Sequence, residues 1–385
     1  MKHVGIICEF NPLHTGHAHL LGAVRDADTV ICLMSGPFVQ RGEAAILPPR
    51  VRAAMAIEAG ADLVLELPYP FAAASARYFA TAGVRALAAI GVDTLAFGSE
   101  TGDVGELSAL AARAPENISD IGATSQSTGD ARAYFDALGR EVSSNDILGV
   151  EYLRALLKYA TDMQPFAVKR EGANYAETVL REGAFPSATA LRGAIFEGRD
   201  VSGFVPPVAL DIMQKGLDQY GIANTARLGA PLLAALRHPD AATIFADAAE
   251  CSGGLLGRLI RVAGQATDYD TLLSLAATKR YTNARIRRAL LFLLSGVRRA
   301  DLVSPPTYLR LLATNKRGRD FLVKTKKSRE IPIVTKQAEI TALGERAARA
   351  ATLEAAAAGL WSLCTQPSTV RSAWRDLPPY LKINT

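Results

Sequence analysis

His14 and His17 bracket Thr15 and Gly16, directly after the apolar run His-Val-Gly-Ile-Ile-Cys at 3–8 and just before a helical pattern. A chain that passes from strand to helix at this point presents unpaired backbone N–H groups and a partial positive charge, which together attract phosphate. Gly16 lets a phosphate or a ribose come close to the backbone. Imidazoles at His14 and His17 can donate hydrogen bonds to phosphate oxygens, where charge builds up as a nucleophile attacks the α-phosphate and pyrophosphate leaves. Such a reaction needs positioning and electrostatics rather than covalent chemistry. Two other readings stand beside this one. Histidines three apart can ligate a metal, but no cysteine or carboxylate cluster nearby completes a site, and no metal centre is expected. They can also be purely structural.

A second stretch, Ser187-Ala188-Thr189-Ala190-Leu191-Arg192, reads as a loop entering a helix. Two hydroxyls and an arginine on a first helical turn suit the β- and γ-phosphates of a triphosphate. Ser187 is also an ordinary N-cap candidate. Neither G-x-x-x-x-G-K-[ST] nor G-x-G-x-x-G occurs, so a P-loop is excluded.

The elements that must hold these residues alternate over the first hundred positions. Apolar runs at 4–8, 29–35, 62–67 and 93–99 read as buried strands, with helical patterns at 16–26, 48–59 and about 73–90 between them. This alternation predicts an α/β fold with a Rossmann-like parallel sheet covered on both faces. Ligands of such sheets bind beyond the carboxyl ends of the strands, which places His14, His17 and Gly98 at one edge. Residues 163–170 read as a fifth strand and about 100–145 as a helical insertion. After Pro206–Pro207 the strand-like runs thin out and Leu/Ala/Arg helices dominate. The expected division is therefore a catalytic unit at 1–205 and a mostly helical unit at 206–385.

Almost half of the 385 residues are hydrophobic, enough for a sizeable core. No apolar run is long enough to cross a membrane, and the N-terminal run is too short for a signal peptide. Cys8, Cys32, Cys251 and Cys364 form no CxxC pair and read as buried reduced thiols, so a cytoplasmic location is expected. The net charge of +5 hides an asymmetry. Residues 279–336 hold sixteen Lys and Arg against three acids, leaving the rest of the chain at −8. Such a patch attracts a polyanion and points to nucleic acid; the bland alternative is a solvated helical face.

With these residues on the page, the chain resembles the bacterial tRNA(Met) cytidine acetate ligase family, within the HxGH nucleotidylyltransferases. The blocks that carry the resemblance are VGIICEFNPLHTGHAHLL, SGPFVQRGEAAI, ADLVLELP, FGSE, NDILGVEYLRAL, SATALR, TKRYTNARIRR and NKRGRDFL, in the family's order from residue 4 to about 336. The resemblance implies two steps. Acetate and ATP, expected with Mg²⁺, give acetyl-adenylate and pyrophosphate. The N4 amine of the wobble cytidine of elongator tRNA(Met) then takes the acetyl group and AMP leaves. A wobble base lies in a single-stranded loop and can be splayed into a pocket. No membrane and no protein partner is expected.

Carried over residue by residue, the resemblance implies an ATP site formed by Ile6, Ile7, Cys8, Glu9, Phe10, Asn11, Pro12, Leu13, His14, Thr15, Gly16, His17, Ala18, His19, Gly98, Asn145 and Arg192. His14 and His17 would stabilise the adenylation transition state, and Asn145 would contact the adenosine or its sugar. The family often has Asn-Asn where this chain has Asn145-Asp146, which leaves the role of Asp146 open. Ser187 and Thr189 are further phosphate candidates, and Gln40 and Arg41 are candidates for acetate or cytidine. Arg41 reads equally well as an ion-pair partner of Glu43. Asp62 and Glu66 flank the third strand, where an acid could orient a lysine, a hydroxyl or Mg²⁺. Lys279, Arg280, Arg285, Arg287 and Arg288, then Lys316, Arg317, Arg319, Lys324, Lys326 and Lys327, are assigned to tRNA phosphates. An adenylyltransferase for a small phosphorylated metabolite and a non-catalytic RNA-binding protein remain the alternatives.

Overall fold

The computed structural model describes residues 2–113, 143–170, 180, 185–365 and 378–382. The first part follows the alternation: β1 His3–Cys8, α1 Thr15–Ala23, β2 Thr29–Ser35, α2 Pro49–Glu58, β3 Leu63–Leu67, α3 Ala76–Ala89 and β4 Thr94–Ser99. Then come α4 Val104–Arg113, α5 Ser144–Tyr159, β5 Gln164–Lys169 and α6 Ala188–Phe196. The expected insertion is described only at its flanks, since 114–142 lie outside the described residues.

The sheet order is β5-β4-β1-β2-β3, all parallel. Every residue of β2, β3 and most of β1 and β4 is buried, because helices cover both faces. Alternate residues of β2 serve opposite cores. Ile31 and Leu33 pack with α3 residues such as Val84 and Leu87, while Val30, Cys32 and Met34 pack with Leu21, Met55 and Ile195. The strand order reverses at β1, so a crevice opens beside its carboxyl end.

Beyond residue 206 the chain adds α7 Pro207–Tyr220, α8 Gly229–Leu236, α9 Ala241–Ile244, α10 Leu255–Ala263, α11 Tyr269–Ala276 and α12 Asn283–Ser295. β6 Leu309–Thr314, α13 Lys316–Lys324, β7 Ile333–Val334, α14 Gln337–Thr341, α15 Glu345–Leu363 and β8 Tyr380–Leu381 complete it. The sheet does not stop at Pro206. β6 pairs antiparallel with β3, and β7 and β8 pair with β6. The basic segment hid this strand, because Arg310 interrupts its apolar run. That guanidinium is buried against Glu354 at 3.1 Å and beside Glu66 at 3.8 Å, which makes a strand of Leu-Arg-Leu-Leu-Ala-Thr tolerable in the core. Trp361 of α15 is fully buried and donates to the Ala45 carbonyl at 2.7 Å. The change at Pro206–Pro207 is thus a change in secondary-structure content, across which sheet and core continue.

The four cysteines are unpaired and buried. Among the described residues no helix is long and apolar enough to cross a membrane.

Candidate active site

The histidines build their own helix start. His14 is the N-cap of α1, and its Nδ1 accepts the Gly16 N–H at 3.1 Å. His17, three positions on, accepts the His14 N–H on its own Nδ1 at 3.3 Å. This is a reciprocal cap made from two imidazoles instead of Ser and Glu. An Nδ1 that accepts a hydrogen bond leaves the proton of the neutral ring on Nε2. Each ring is therefore a fixed Nε2–H donor. The rings stack at 3.7 Å, and Phe10 sits edge-on to His17 at 5.0 Å. Glycine suits position 16, since a Cβ would lie a tight 3.0 Å from Cε1 of His14. Phe10 itself is held at φ 45, uncommon for a bulky residue, where the chain turns out of β1.

Burial, and then the positive charge of Arg170 and Arg192, push the His14 pKa down to about 3. Burial, then His14 and Arg170, lower that of His17 as well. Both rings are thus neutral at pH 7. The folded pKa of His14 lies below the unfolded value of 6.5, so the fold loses stability as pH falls from 6.5 towards about 3 and keeps it all above 6.5. At pH 5 this single group should cost about 2 kcal/mol. Urea unfolding at pH 7 and pH 5 checks this: the drop in stability should shrink by about that amount in His14→Asn, which keeps a cap acceptor.

These rings open into a cavity of about 420 Å³ at the carboxyl ends of the strands. Of the expected nucleotide residues, Ile6, Ile7, Cys8, Glu9, Phe10, His14, Gly16, His17, His19, Gly98, Asn145 and Ser187 line it, as do Gln40 and Arg41. Asn11, Pro12, Leu13, Thr15, Ala18, Asp146, Thr189 and Arg192 do not. A wider cleft of about 830 Å³ lies at the other edge of the sheet, beside Ala89, Asp93 and Met163, and holds neither histidine.

Arg192 is tied into the fold. Its guanidinium donates to the Asn11 carbonyl at 3.0 Å and to Thr189 Oγ1 at 3.3 Å, and it meets Glu43 at 3.4 Å. Arg170, just past β5, lines the cavity where Arg192 does not, and the sequence reading missed it. Its only sequence signal is a base directly after a strand of this sheet. Arg170 approaches Glu100 at 3.8 Å, and Glu100 also accepts from Asn145 Nδ2 at 2.6 Å. Asp146 is buried and accepts from Ser99 Oγ at 2.6 Å and the Glu100 N–H at 3.1 Å, so it joins α5 to the end of β4. Ser187 caps α6 through the Ala190 N–H at 3.0 Å, as expected.

Arg52 was also missed. It is fully buried in α2 and donates to four carbonyls: Leu47 at 3.0 Å, Ser35 at 2.9 Å, Gly36 and Glu9. One guanidinium thereby fixes the ends of both β1 and β2.

The 279–288 cluster borders the cavity, for Thr282, Ala284 and Arg288 of the α12 start line it. Two assignments there are corrected. Arg288 is buried and pairs with Glu250 at 3.2 Å, and Arg287 pairs with Glu43 at 2.9 Å, so neither is a free surface cation. Glu43, which one of the two readings gave to Arg41, pairs with Arg287 and Arg192. The hairpin carrying these residues meets α12 backbone to backbone: Gly42, at φ 75, has no room for a side chain, since a Cβ there would lie 2.6 Å from the Arg288 nitrogen. Arg285 donates to the Ser252 carbonyl at 3.1 Å, and it and Arg280 flank the Tyr281 ring, while Lys279 is exposed.

The second cluster lies at the opposite edge. Because β6 runs antiparallel, α13 starts beside the amino ends of the strands. Arg317 donates to the Asp28 and Ala27 carbonyls and meets Asp62 at 3.6 Å, and Arg319 donates to the Lys382 carbonyl at 3.4 Å. Lys316, Lys324, Lys326 and Lys327 are exposed. Asp62 caps the Val30 N–H at 2.8 Å and takes Asn315 Nδ2 at 2.8 Å. Neither Asp62 nor Glu66 reaches the cavity, which corrects their reading as candidate orienting acids. No cluster of three His, Cys, Asp or Glu able to hold a metal forms among the described residues.

The HIGH Nucleotidyl Transferase family model matches residues 1–375. The chain belongs to this family. It is 36% identical to the tRNA(Met) cytidine acetate ligase of Syntrophotalea carbinolica, covering 88% of this chain and 86% of that one. It is 34% identical to the same-named protein of Acetivibrio thermocellus, covering 98% of both. Crystal structures of Thermotoga maritima TmcAL are 28% identical over the whole of both chains. The TM-score is 0.90 for the apo form and 0.86 for the form bound with alpha-thio ATP.

Proposed function

We propose that this protein acetylates the wobble cytidine of elongator tRNA(Met), using acetate and ATP to form acetyl-adenylate and then N4-acetylcytidine. The observation that carries the reading is a pair of backbone-oriented neutral imidazoles whose cavity is walled by the basic α12 segment. ATP binds along β1 and α1, with the adenosine towards Gly98 and Asn145. Nε2–H donors of His14 and His17 neutralise charge growing on the α-phosphate as acetate attacks, and Arg170 takes the phosphate role that the motif pattern gave to Arg192. Among the described residues the donor set builds no protein cage for a divalent ion. Mg²⁺ coordinated by ATP phosphates and water needs none. Residues 1–205 supply the nucleotide chemistry, and 206–385 supply the tRNA surface and one wall of the cavity.

ATP–pyrophosphate exchange tests this. Exchange that requires acetate is expected; exchange that also requires tRNA would mean that RNA binding gates adenylation. Absence of acetate-dependent exchange under all conditions would favour an adenylyltransferase for a phosphorylated metabolite, a reading that leaves the basic segment idle.

The two basic clusters sit on opposite sheet edges, separated by a strand length of roughly 20 Å. With a wobble base in the cavity, the second cluster is left to meet phosphates elsewhere on the same tRNA. Replacing Lys326 and Lys327 by alanine should raise KM for tRNA several-fold. It should also lower the salt slope of binding by about 2, while exchange without tRNA moves far less. Kinetics at two or three salt concentrations read both effects.

A further inference from the structure

Glu9 follows β1 and lines the cavity beside the Gln40 loop. Its Oε1 accepts the Gln40 N–H at 3.0 Å. Its Oε2 makes no hydrogen bond among the described residues. The main chain beneath it is rigid, because its carbonyl accepts from buried Arg52 and Phe10 follows in the left-handed region. A carboxylate repels the phosphates and acetate, so neither is its partner. A group with free N–H donors fits this position, and a carboxylate is the side chain that matches the N4 amino group of cytosine.

We propose that Glu9 receives the N4 amino group of the target cytidine and takes its proton during acetyl transfer. This rests on the acetylation reading above. In the step, N4 bonds to the acyl carbon of acetyl-adenylate and the bond from that carbon to the phosphate oxygen breaks. AMP leaves with the electron pair, and one amine proton passes to Oε2. The amine of cytosine is conjugated with its ring and a poor nucleophile, so a positioned acceptor matters most in this step. The surroundings suit a base. Burial raises the Glu9 pKa above the usual carboxylate range, against the Gln40 N–H and the charges of Arg192 and Arg41, and Glu43 adds to the rise. Cys8, Arg52 and Tyr152 are the other titratable groups facing it.

Glu9→Gln keeps the volume and the acceptor for Gln40 but not the basicity. N4-acetylcytidine formation at saturating tRNA should fall about 100-fold or more relative to acetate-dependent exchange. The acidic limb of the pH–rate profile for transfer should disappear in Glu9→Gln and persist, at a lower rate, in Glu9→Asp. The proposal is overturned if Glu9→Gln lowers exchange and transfer by the same factor, leaves transfer intact, or keeps the acidic limb. A wild-type protein without acetate-dependent exchange would instead reject the acetylation reading, and this inference with it.

Discussion

His14→Ala should lower acetate-dependent ATP–pyrophosphate exchange by about 10²–10³-fold, the usual consequence of removing one preorganised donor from a developing charge. The ring is neutral, buried and held with its Nε2–H free, so it needs no reorganisation when the α-phosphate acquires charge. The substitution also removes the cap of α1, at a cost of about 1 kcal/mol. His14→Asn separates the two effects. It should restore the cap and the unfolding midpoint but not exchange. The affinity for tRNA should persist in both variants, because the exposed cations Lys279, Lys316, Lys324, Lys326 and Lys327 lie outside the histidine turn. If exchange survived in both while RNA binding was normal, the imidazole would be a cap alone, and a non-catalytic RNA-binding protein would be the better description.

Arg52→Lys should destabilise the fold by roughly 4 kcal/mol and reduce exchange at temperatures where the protein remains folded. Burial lowers the guanidinium pKa to about 10, with Cys8, Glu66 and Glu9 acting against that, so it stays charged at neutral pH. Its planar fork meets four carbonyls that lie in different directions around α2. A lysine offers three donors from a single atom and cannot span them. The carbonyls it leaves unpaired, buried away from water, each cost about 1–3 kcal/mol. Three of the four, Glu9, Ser35 and Gly36, belong to the ends of β1 and β2, so the loss reaches the histidine turn and the Gln40 loop together. Chemical unfolding and exchange measured on the same preparations read the two effects; a stability within about 1 kcal/mol of wild type would refute this account of Arg52.

The legible parts of this protein were the local ones. The alternation of buried runs with helical patterns placed β1–β5 within a residue or two, since parallel strands covered on both faces must be apolar almost throughout. The nucleotide edge was legible because His14, Gly16 and His17 act within one helical turn, and Ser187 caps the helix that it precedes. Arg192 shows where that reading stopped. Its spacing from Ser187 placed it on the first turn of α6, but what it touches was decided by Asn11 and Glu43, residues about 150–180 positions away in sequence. Arg170 lacked any motif and gained its place from the end of β5.

By itself, then, the sequence determined the parallel sheet, the imidazole pair at its carboxyl edge and the concentration of positive charge at 279–336, all properties of neighbouring residues. The tertiary structure decided which charges face which edge. Pairing β6 antiparallel to β3 sent α13 to the amino ends of the strands, while α12 was left at the cavity. Which buried cation would clamp the strand ends was likewise settled only on folding. An arginine on an Ala-rich helix looks the same in sequence whether its partners are water or four backbone carbonyls, because those carbonyls are brought together from separate segments by the sheet.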